Sequence, residues 1–279
     1  MRIFTCLLLY LSTSIASAQI AVECRGDGQA VYLIGGGPAF TTWNLEPIQQ
    51  QLEDEFRLCR WDMRGIGENA DLEINSDKTL LAQWLQDMAD VLPAEPVILW
   101  GHSWGALQVL LFAKYHPQRV RSLVLNNPVD PDLNSLEHIE IKRYVHPYVE
   151  AQLGIDDIDT VAEQRHRLRS KIASYFSDAK LGWAYSEGFD INDSNNELNV
   201  RIWQEYRDMR LSTVDIELLS DKISRMIYCE HDVLMPENLE YYSALVTAER
   251  NVVIKKCAHF PWVETPAEYY DILRQAFRQ

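Results

Sequence analysis

Pro96-Val97-Ile98-Leu99-Trp100, Gly101-His102-Ser103-Trp104-Gly105, then Ala106 to Tyr115: this stretch decides how the chain is read. The first block is a short apolar run rich in β-branched and aromatic side chains, which predicts a buried strand. The last is a strongly apolar helix that ends near His116-Pro117. Between them stands G-x-S-x-G. Glycine and serine are common, so the five letters carry weight only because a strand leads into them and a helix leads out. A serine at that junction sits on a cramped turn whose neighbours must lack side chains, and the turn lifts its hydroxyl above the sheet edge. The helix that follows points its free N–H groups at any negative charge developing there. Ser103 is the candidate nucleophile.

Outward from this centre, strands and helices alternate. Ala30 to Ile34 and Phe56 to Trp61 read as strands, Leu80 to Leu92 as an amphipathic helix, and Val120 to Leu125 as another strand. After a break, Ser224 to Cys229 and Asn251 to Lys256 read as strands, with helices at Pro236 to Val246 and Ala267 to Phe277. Such alternation predicts an α/β fold with right-handed crossovers and a mostly parallel sheet flanked by helices. From Asp130 to Asp221 the chain is polar and rich in helix formers, with no clear buried strand. The expected organisation is a core of residues 19–129 and 222–279, interrupted by a helical cap at 130–221.

The formal net charge of -15 repels phosphate backbones, and no run of Lys and Arg offsets it, so nucleic acid is not an expected partner. Residues 1–18 resemble a secretory signal peptide: Arg2, the apolar run Ile3 to Tyr10, then Ala16-Ser17-Ala18 as an A-x-A-like cleavage site. The expectation is export, periplasmic or secreted, with cleavage or retention as an anchor both open. That run is too short to span a bilayer, and no membrane span is expected in the mature chain.

A serine hydroxyl needs a base within reach. Cys257-Ala258-His259-Phe260 follows the last strand, which puts His259 at the sheet edge that carries Ser103. His102 adjoins the nucleophile on the elbow and is a poor base; His116, His138, His146 and His166 fall in helix-terminal or cap contexts. The base needs a carboxylate that holds its tautomer. Asp232, just past the Ser224 to Cys229 strand, is the candidate, with Glu230 and Asp130 as alternatives. Oxyanion donors are expected from the backbone of Trp104 and from Gly35-Gly36-Gly37-Pro38, at Gly37. That glycine loop lacks a following Lys-Ser/Thr, which argues against a phosphate cradle. The chemistry needs no cofactor, and no histidine pair has metal-ligand spacing, so no metal is expected.

Gly35-Gly36-Gly37-Pro38-Ala39, Asp62-Met63-Arg64-Gly65-Ile66-Gly67, Gly101-His102-Ser103-Trp104-Gly105 and Ala258-His259-Phe260-Pro261-Trp262 together resemble the proline iminopeptidase branch of the α/β-hydrolases. The resemblance implies cleavage of an N-terminal proline or other small hydrophobic residue from short peptides, with cap carboxylates holding the free amine. Departures stand beside it. Gly35 replaces the histidine that usually opens the oxyanion loop, and Ala39 replaces its closing glycine. The nearest match to the family's aromatic-x-x-aromatic-Glu is Trp203-Gln204-Glu205-Tyr206-Arg207, with Arg207 where the acid belongs. Glu205, Glu187, Asp190 and Asp208 are then the carboxylates to consider for the amine, and Trp203, Tyr206, Trp183 and Tyr185 the aromatics for an apolar site. The expected function is a serine hydrolase working by a Ser-His-Asp triad through an acyl-enzyme on a short peptide or small molecule and, as the resemblance implies, releasing an N-terminal residue from short peptides. The alternatives are a carboxylesterase or other ester or amide hydrolase and, more remotely, a non-catalytic binding protein on this fold.

Without the signal segment, Cys24, Cys59, Cys229 and Cys257 remain, as two disulfides or four buried thiols. In the expected sheet, Cys229 and Cys257 end neighbouring strands, and a bridge there would tie the Asp232 and His259 loops together. Cys24 and Cys59 would form the other pair.

Overall fold

Seven strands pair in the order β1-β3-β2-β4-β5-β6-β7 in the computed structural model, which describes residues 19–137, 139, 142 and 160–279. They are β1 (Glu23–Arg25), β2 (Gln29–Ile34), β3 (Phe56–Arg60), β4 (Val97–His102), β5 (Val120–Asn126), β6 (Ile223–Cys229) and β7 (Asn251–Ile254). All neighbours run parallel except β1, which is antiparallel to β3 at one edge. The expected signal segment, residues 1–18, lies outside the described residues, as do His138 and His146.

Alternate strand residues feed two packed layers, as the period of an extended chain requires. Tyr32, Ile34, Leu99, Leu123 and Leu125 face one layer. Val31, Leu33, Ile98, Trp100 and Val124 face the other. The first is closed by α2 (Leu80–Val91) and α3 (Trp104–Tyr115), the second by α1 (Glu46–Leu52) near the front of the chain and by the closing helix Pro266–Phe277. In α2, Leu81, Trp84, Leu85 and Met88 make the buried stripe, and the Thr79 hydroxyl caps the start by accepting the Ala82 N–H at 3.2 Å. Each such large side chain taken fully out of water contributes about 1.5–3 kcal/mol. Helix α3 is buried from Trp104 to Ala113, which explains why its sequence is apolar on every face.

Two elements lie outside the sequence expectation. β1 is three residues long, too short for a pattern, and its place depends on Cys24 sitting opposite Cys59 in the ladder. Helix α1 is half polar, yet Ile48, Gln49 and Leu52 are buried, and Gln49 Nε2 donates to the Leu58 carbonyl at 2.9 Å.

Between β5 and β6 the described residues form the helices α4 (Asn134–Glu137), α5 (Val161–Ala173), α6 (Ala179–Tyr185), α7 (Asn196–Asp208) and α8 (Thr213–Leu219). Polar sequence becomes helix here because each start is capped: Thr160 with Glu163 as a capping box, Asp178, Asn195, and Ser212 with Asp215. Leu198, Ile202 and Tyr206 of α7 pack into the layer of α2 and α3. After β6 come α9 (Glu237–Ser243), α10 (Pro261–Glu264) and α11 (Pro266–Phe277), the closing helix. Two disulfides link neighbouring segments: Cys24–Cys59 crosses the β1–β3 ladder, and Cys229–Cys257 joins the end of β6 to the loop after β7. No helix among the described residues is long and apolar enough to cross a membrane.

Candidate active site

β4 runs into Ser103 and α3 leaves from Trp104, so the serine occupies the junction itself. Its backbone has φ 54° and ψ -118°, a conformation that costs a non-glycine residue about 1–3 kcal/mol. The turn is held: Ser103 N–H donates to the Asn126 carbonyl at 3.0 Å, and the Ser103 carbonyl accepts the Ala106 N–H at 3.1 Å. Gly105 lets α3 lie against β2, since a Cβ there would stand 2.2 Å from the Ile34 carbonyl oxygen. Gly36 does the same for the loop above, where a Cβ would lie 2.6 Å from His102 Nδ1 and 2.9 Å from Ser103 Cβ.

His259 and Asp232 arrive from loops past β7 and β6. His259 Nδ1 lies 2.6 Å from Asp232 Oδ2, and both side chains are buried. The other Asp232 oxygen accepts the Leu234 N–H at 2.7 Å. With Nδ1–H donating to the carboxylate, the lone pair of the ring sits on Nε2. The loop is braced around this pair. His259 N–H donates to the Tyr175 carbonyl, and the Tyr175 ring stacks on the imidazole at 4.8 Å. Glu264 accepts the Ala258 N–H at 2.8 Å and the Ser177 N–H at 2.8 Å, joining this loop to the segment after α5; burial raises its pKa above the ordinary carboxylate value. The Cys229–Cys257 disulfide ties the end of β6 to the loop that carries His259.

His102 is buried, its Nε2–H donating to the His259 carbonyl at 3.0 Å. Its Nδ1 has no partner, and burial, reinforced by the neighbouring His259, holds its pKa well below 6.5. It supports the His259 loop as a neutral ring. Glu230 is solvent-exposed and pairs with Lys255 at 2.7 Å, and Asp130 is spent on the start of α4, accepting Asn134 N–H and Ser135 N–H at 2.8 Å each. Neither meets His259.

Ser103, His259, Trp104 and Gly37 all line one cavity of about 220 Å³ beneath the β5–β6 insertion. Gly37 has φ 60°, and Ala39, standing where the resembled family closes its loop with glycine, keeps φ 68°. The cap holds this loop: Asn199 Nδ2 donates to the Pro38 carbonyl at 2.6 Å, Asn195 N–H to the Ala39 carbonyl at 2.9 Å and Thr41 N–H to the Asp193 carbonyl at 2.9 Å.

The cap residues expected to bind substrate divide. Trp203 lines the cavity, edge-on to Trp104 at 4.8 Å between centroids. Tyr206 does not: it is buried behind Trp104, its hydroxyl donating to the Pro131 carbonyl at 3.2 Å. Glu205 does not either, because its carboxylate accepts the Leu81 N–H at the start of α2 at 2.8 Å and pairs with Arg201 at 2.8 Å. Glu187 is exposed and pairs with Arg169 at 3.3 Å. Asp190 caps its own turn by accepting from Asn192, and Asp208 is exposed. Trp183 stacks against Arg169, and Tyr185 is packed among Phe176, Phe189 and Phe260. No carboxylate appears among the described residues lining the cavity; Lys171 does.

One positioning residue was not anticipated. Asn127, at φ 41° just past β5, donates to the carbonyls of Ala258 at 3.0 Å and His259 at 3.3 Å and accepts the Cys229 N–H at 2.8 Å. It joins the end of β6, from which the Asp232 loop leaves, to the His259 loop through one amide. An asparagine after a strand carries no local signal of that role.

The sheet, the strained serine at a strand–helix junction and the histidine loop beyond the last strand define a class of fold. The family model for the alpha/beta hydrolase fold matches residues 29–266, and the chain belongs to that family. It is 21% identical over 267 residues to a proline iminopeptidase of Heyndrickxia coagulans, covering 89% of this chain and 90% of that protein. It is 23% identical over 275 residues to a pimeloyl-(acyl-carrier protein) methyl ester esterase of Aeromonas salmonicida, covering 91% and 98%. Among solved structures, an esterase from Exiguobacterium antarcticum has a TM-score of 0.67 at 17% identity, covering 93% of this chain and 96% of that one.

Proposed function

We propose that this hydrolase is a serine esterase of small carboxylic esters, with Ser103 as nucleophile, His259 as base and Asp232 as the acid behind it. One observation carries the reading: a strained serine opens onto the same cavity as an imidazole whose far nitrogen is held at 2.6 Å by a buried carboxylate. Nε2 of His259 takes the hydroxyl proton as Ser103 Oγ attacks the ester carbonyl carbon. Asp232 stabilises the imidazolium without taking the proton. The carbonyl oxygen becomes an oxyanion opposite the backbone N–H groups of Trp104 and Gly37, each worth about 10²–10³ in rate. His259 returns the proton to the departing alcohol, leaving an ester on Ser103. Water, deprotonated by the same imidazole, then attacks that ester, and the carboxylic acid leaves as Ser103 regains its proton.

Esters are favoured over peptides because the cavity offers Lys171, and no carboxylate among its described residues, to a substrate ammonium. The resemblance to proline iminopeptidases and the relative in Heyndrickxia coagulans support a second reading, release of an N-terminal residue. A fluorophosphonate should label the wild type and not Ser103→Ala; labelling that survives this substitution ends the nucleophile assignment. A paired assay of short acyl nitrophenyl esters against prolyl-arylamide separates the readings, with turnover of the arylamide alone overturning the esterase.

Export to an oxidising compartment belongs to the same proposal, supported by the two disulfides and the signal-like residues 1–18. Amino-terminal sequencing of the protein recovered from its source should begin after Ala18; a chain still starting at Met1 in the cytosol would refute export.

A further inference from the structure

The loop that carries Gly37 is held from outside the sheet. Gly37, Pro38 and Ala39 present three carbonyls in succession, and only the first is satisfied within the loop, by the Phe40 N–H at 3.1 Å. The start of α7 takes the other two: Asn199 Nδ2 donates to the Pro38 carbonyl at 2.6 Å, and the Asn195 N–H to the Ala39 carbonyl at 2.9 Å. Phe40 and Ser194 face each other in an isolated antiparallel bridge, and the Thr41 hydroxyl donates to Asp193 Oδ1 at 2.7 Å. The loop needs such anchorage. Gly37 and Ala39 both have left-handed backbones, at φ 60° and 68°, and alanine keeps that conformation only where its surroundings enforce it. α7 can serve as the anchor because Leu198 and Ile202 bury it against the core and Glu205 accepts the Leu81 N–H of α2.

We propose that Asn199 is a positioning residue for the reaction: by holding the Pro38 carbonyl it aims the Gly37 N–H at the oxyanion, so that one of the two donors is set by the inserted helix α7. The proposal deepens the serine-hydrolase reading and rests on it. The ring of Pro38 fixes its φ at about −65°, so a carbonyl pinned on one side of that ring limits the torsions left to the Gly37 peptide on the other. With the Asn199 bond gone, the loop can relax from its left-handed conformation and turn the N–H away. A donor that must be re-aimed at each turnover gives back part of the stabilisation that a fixed one supplies. Asn199 also lines the cavity, so this role has to be separated from a direct contact with substrate.

Asn199→Asp keeps the side chain's shape and sets an oxygen against the Pro38 carbonyl, and Asn199→Ala removes the amide. On a short acyl nitrophenyl ester both should lower kcat about 10- to 100-fold, short of the loss of about 10²–10³ for a donor removed outright, with KM within about two-fold of wild type. A pair of ketones with the same acyl chain reads the oxyanion without turnover. Ser103 Oγ adds to the trifluoromethyl ketone, its proton passes to His259 and the carbonyl oxygen becomes an oxyanion, so affinity for this ketone should fall by the same factor as kcat. The methyl ketone, bound without addition, should bind as in the wild type. A kcat within about two-fold of wild type in both variants overturns the proposal. So does a raised KM with kcat unmoved, or an equal weakening of both ketones in a variant that keeps the wild-type denaturation midpoint, since either makes Asn199 a substrate contact. A wild type that takes no fluorophosphonate removes the serine nucleophile and this proposal with it, whereas a labelled, active wild type indifferent to Asn199 removes this proposal alone.

Discussion

Asp232→Asn changes one atom and should remove most of the activity. Both carboxylate oxygens are committed, Oδ2 to His259 Nδ1 at 2.6 Å and Oδ1 to the Leu234 N–H at 2.7 Å. An amide oxygen can keep the Leu234 bond, whereas an amide nitrogen cannot accept it, so asparagine must turn its NH₂ toward His259. Facing a donor, Nδ1 has to supply the lone pair, and the ring proton moves to Nε2, the nitrogen that should accept from Ser103. The imidazole survives in place as the wrong tautomer. A triad base lost in this way lowers kcat by about 10³–10⁴, equivalent to about 4–5.5 kcal/mol of transition-state stabilisation. The assay is steady-state hydrolysis of a short acyl nitrophenyl ester, with the rate of fluorophosphonate labelling followed in parallel; both should fall together. Glu230→Gln, which alters an exposed carboxylate on Lys255, is the matched control and should stay within about two-fold of wild type. Activity of Asp232→Asn within ten-fold of wild type would refute the tautomer argument.

Gly36→Ala places a methyl 2.6 Å from His102 Nδ1, so it should destabilise the fold by about 1–3 kcal/mol in chemical denaturation and reduce turnover by moving the serine turn. The pKa of buried His102 is depressed from its unfolded value of 6.5, so its neutral form contributes stability fully above pH 6.5, and that contribution is lost as the pH falls below 6.5 toward the folded pKa. Urea midpoints measured from pH 7.5 downward should therefore drop more steeply in the wild type than in His102→Gln, and parallel curves would exclude this origin. Cys229 and Cys257 close a loop with a sequence separation of 28, for which chain entropy predicts a loss of about 3–4 kcal/mol when Cys229→Ala opens it; an unchanged denaturation midpoint would count against that bridge.

Much of this molecule is written locally. Val97 to Trp100 can only be buried by a sheet covered on both faces, the glycines around Ser103 tolerate no other neighbours, and the run of strands and helices dictates a parallel order. The cap is harder to read. Its helices are recognisable by their capping residues, but the direction of each side chain depends on what the other elements present to it. Glu205 has the right type and neighbourhood for an amine ligand, yet the open N–H groups at the start of α2 claim it, and no feature near position 205 records that α2 lies opposite. Asn127 escapes notice for the same reason, spending its amide on partners more than a hundred positions away. Periodicity and turn chemistry act between near neighbours in the chain, so strands, elbow and strand-end loops are legible from composition and order. The satisfaction of a buried polar group is a contest among residues brought together by folding, so the content of the cavity, with a lysine in its wall and no described carboxylate, exists only once the layers have closed.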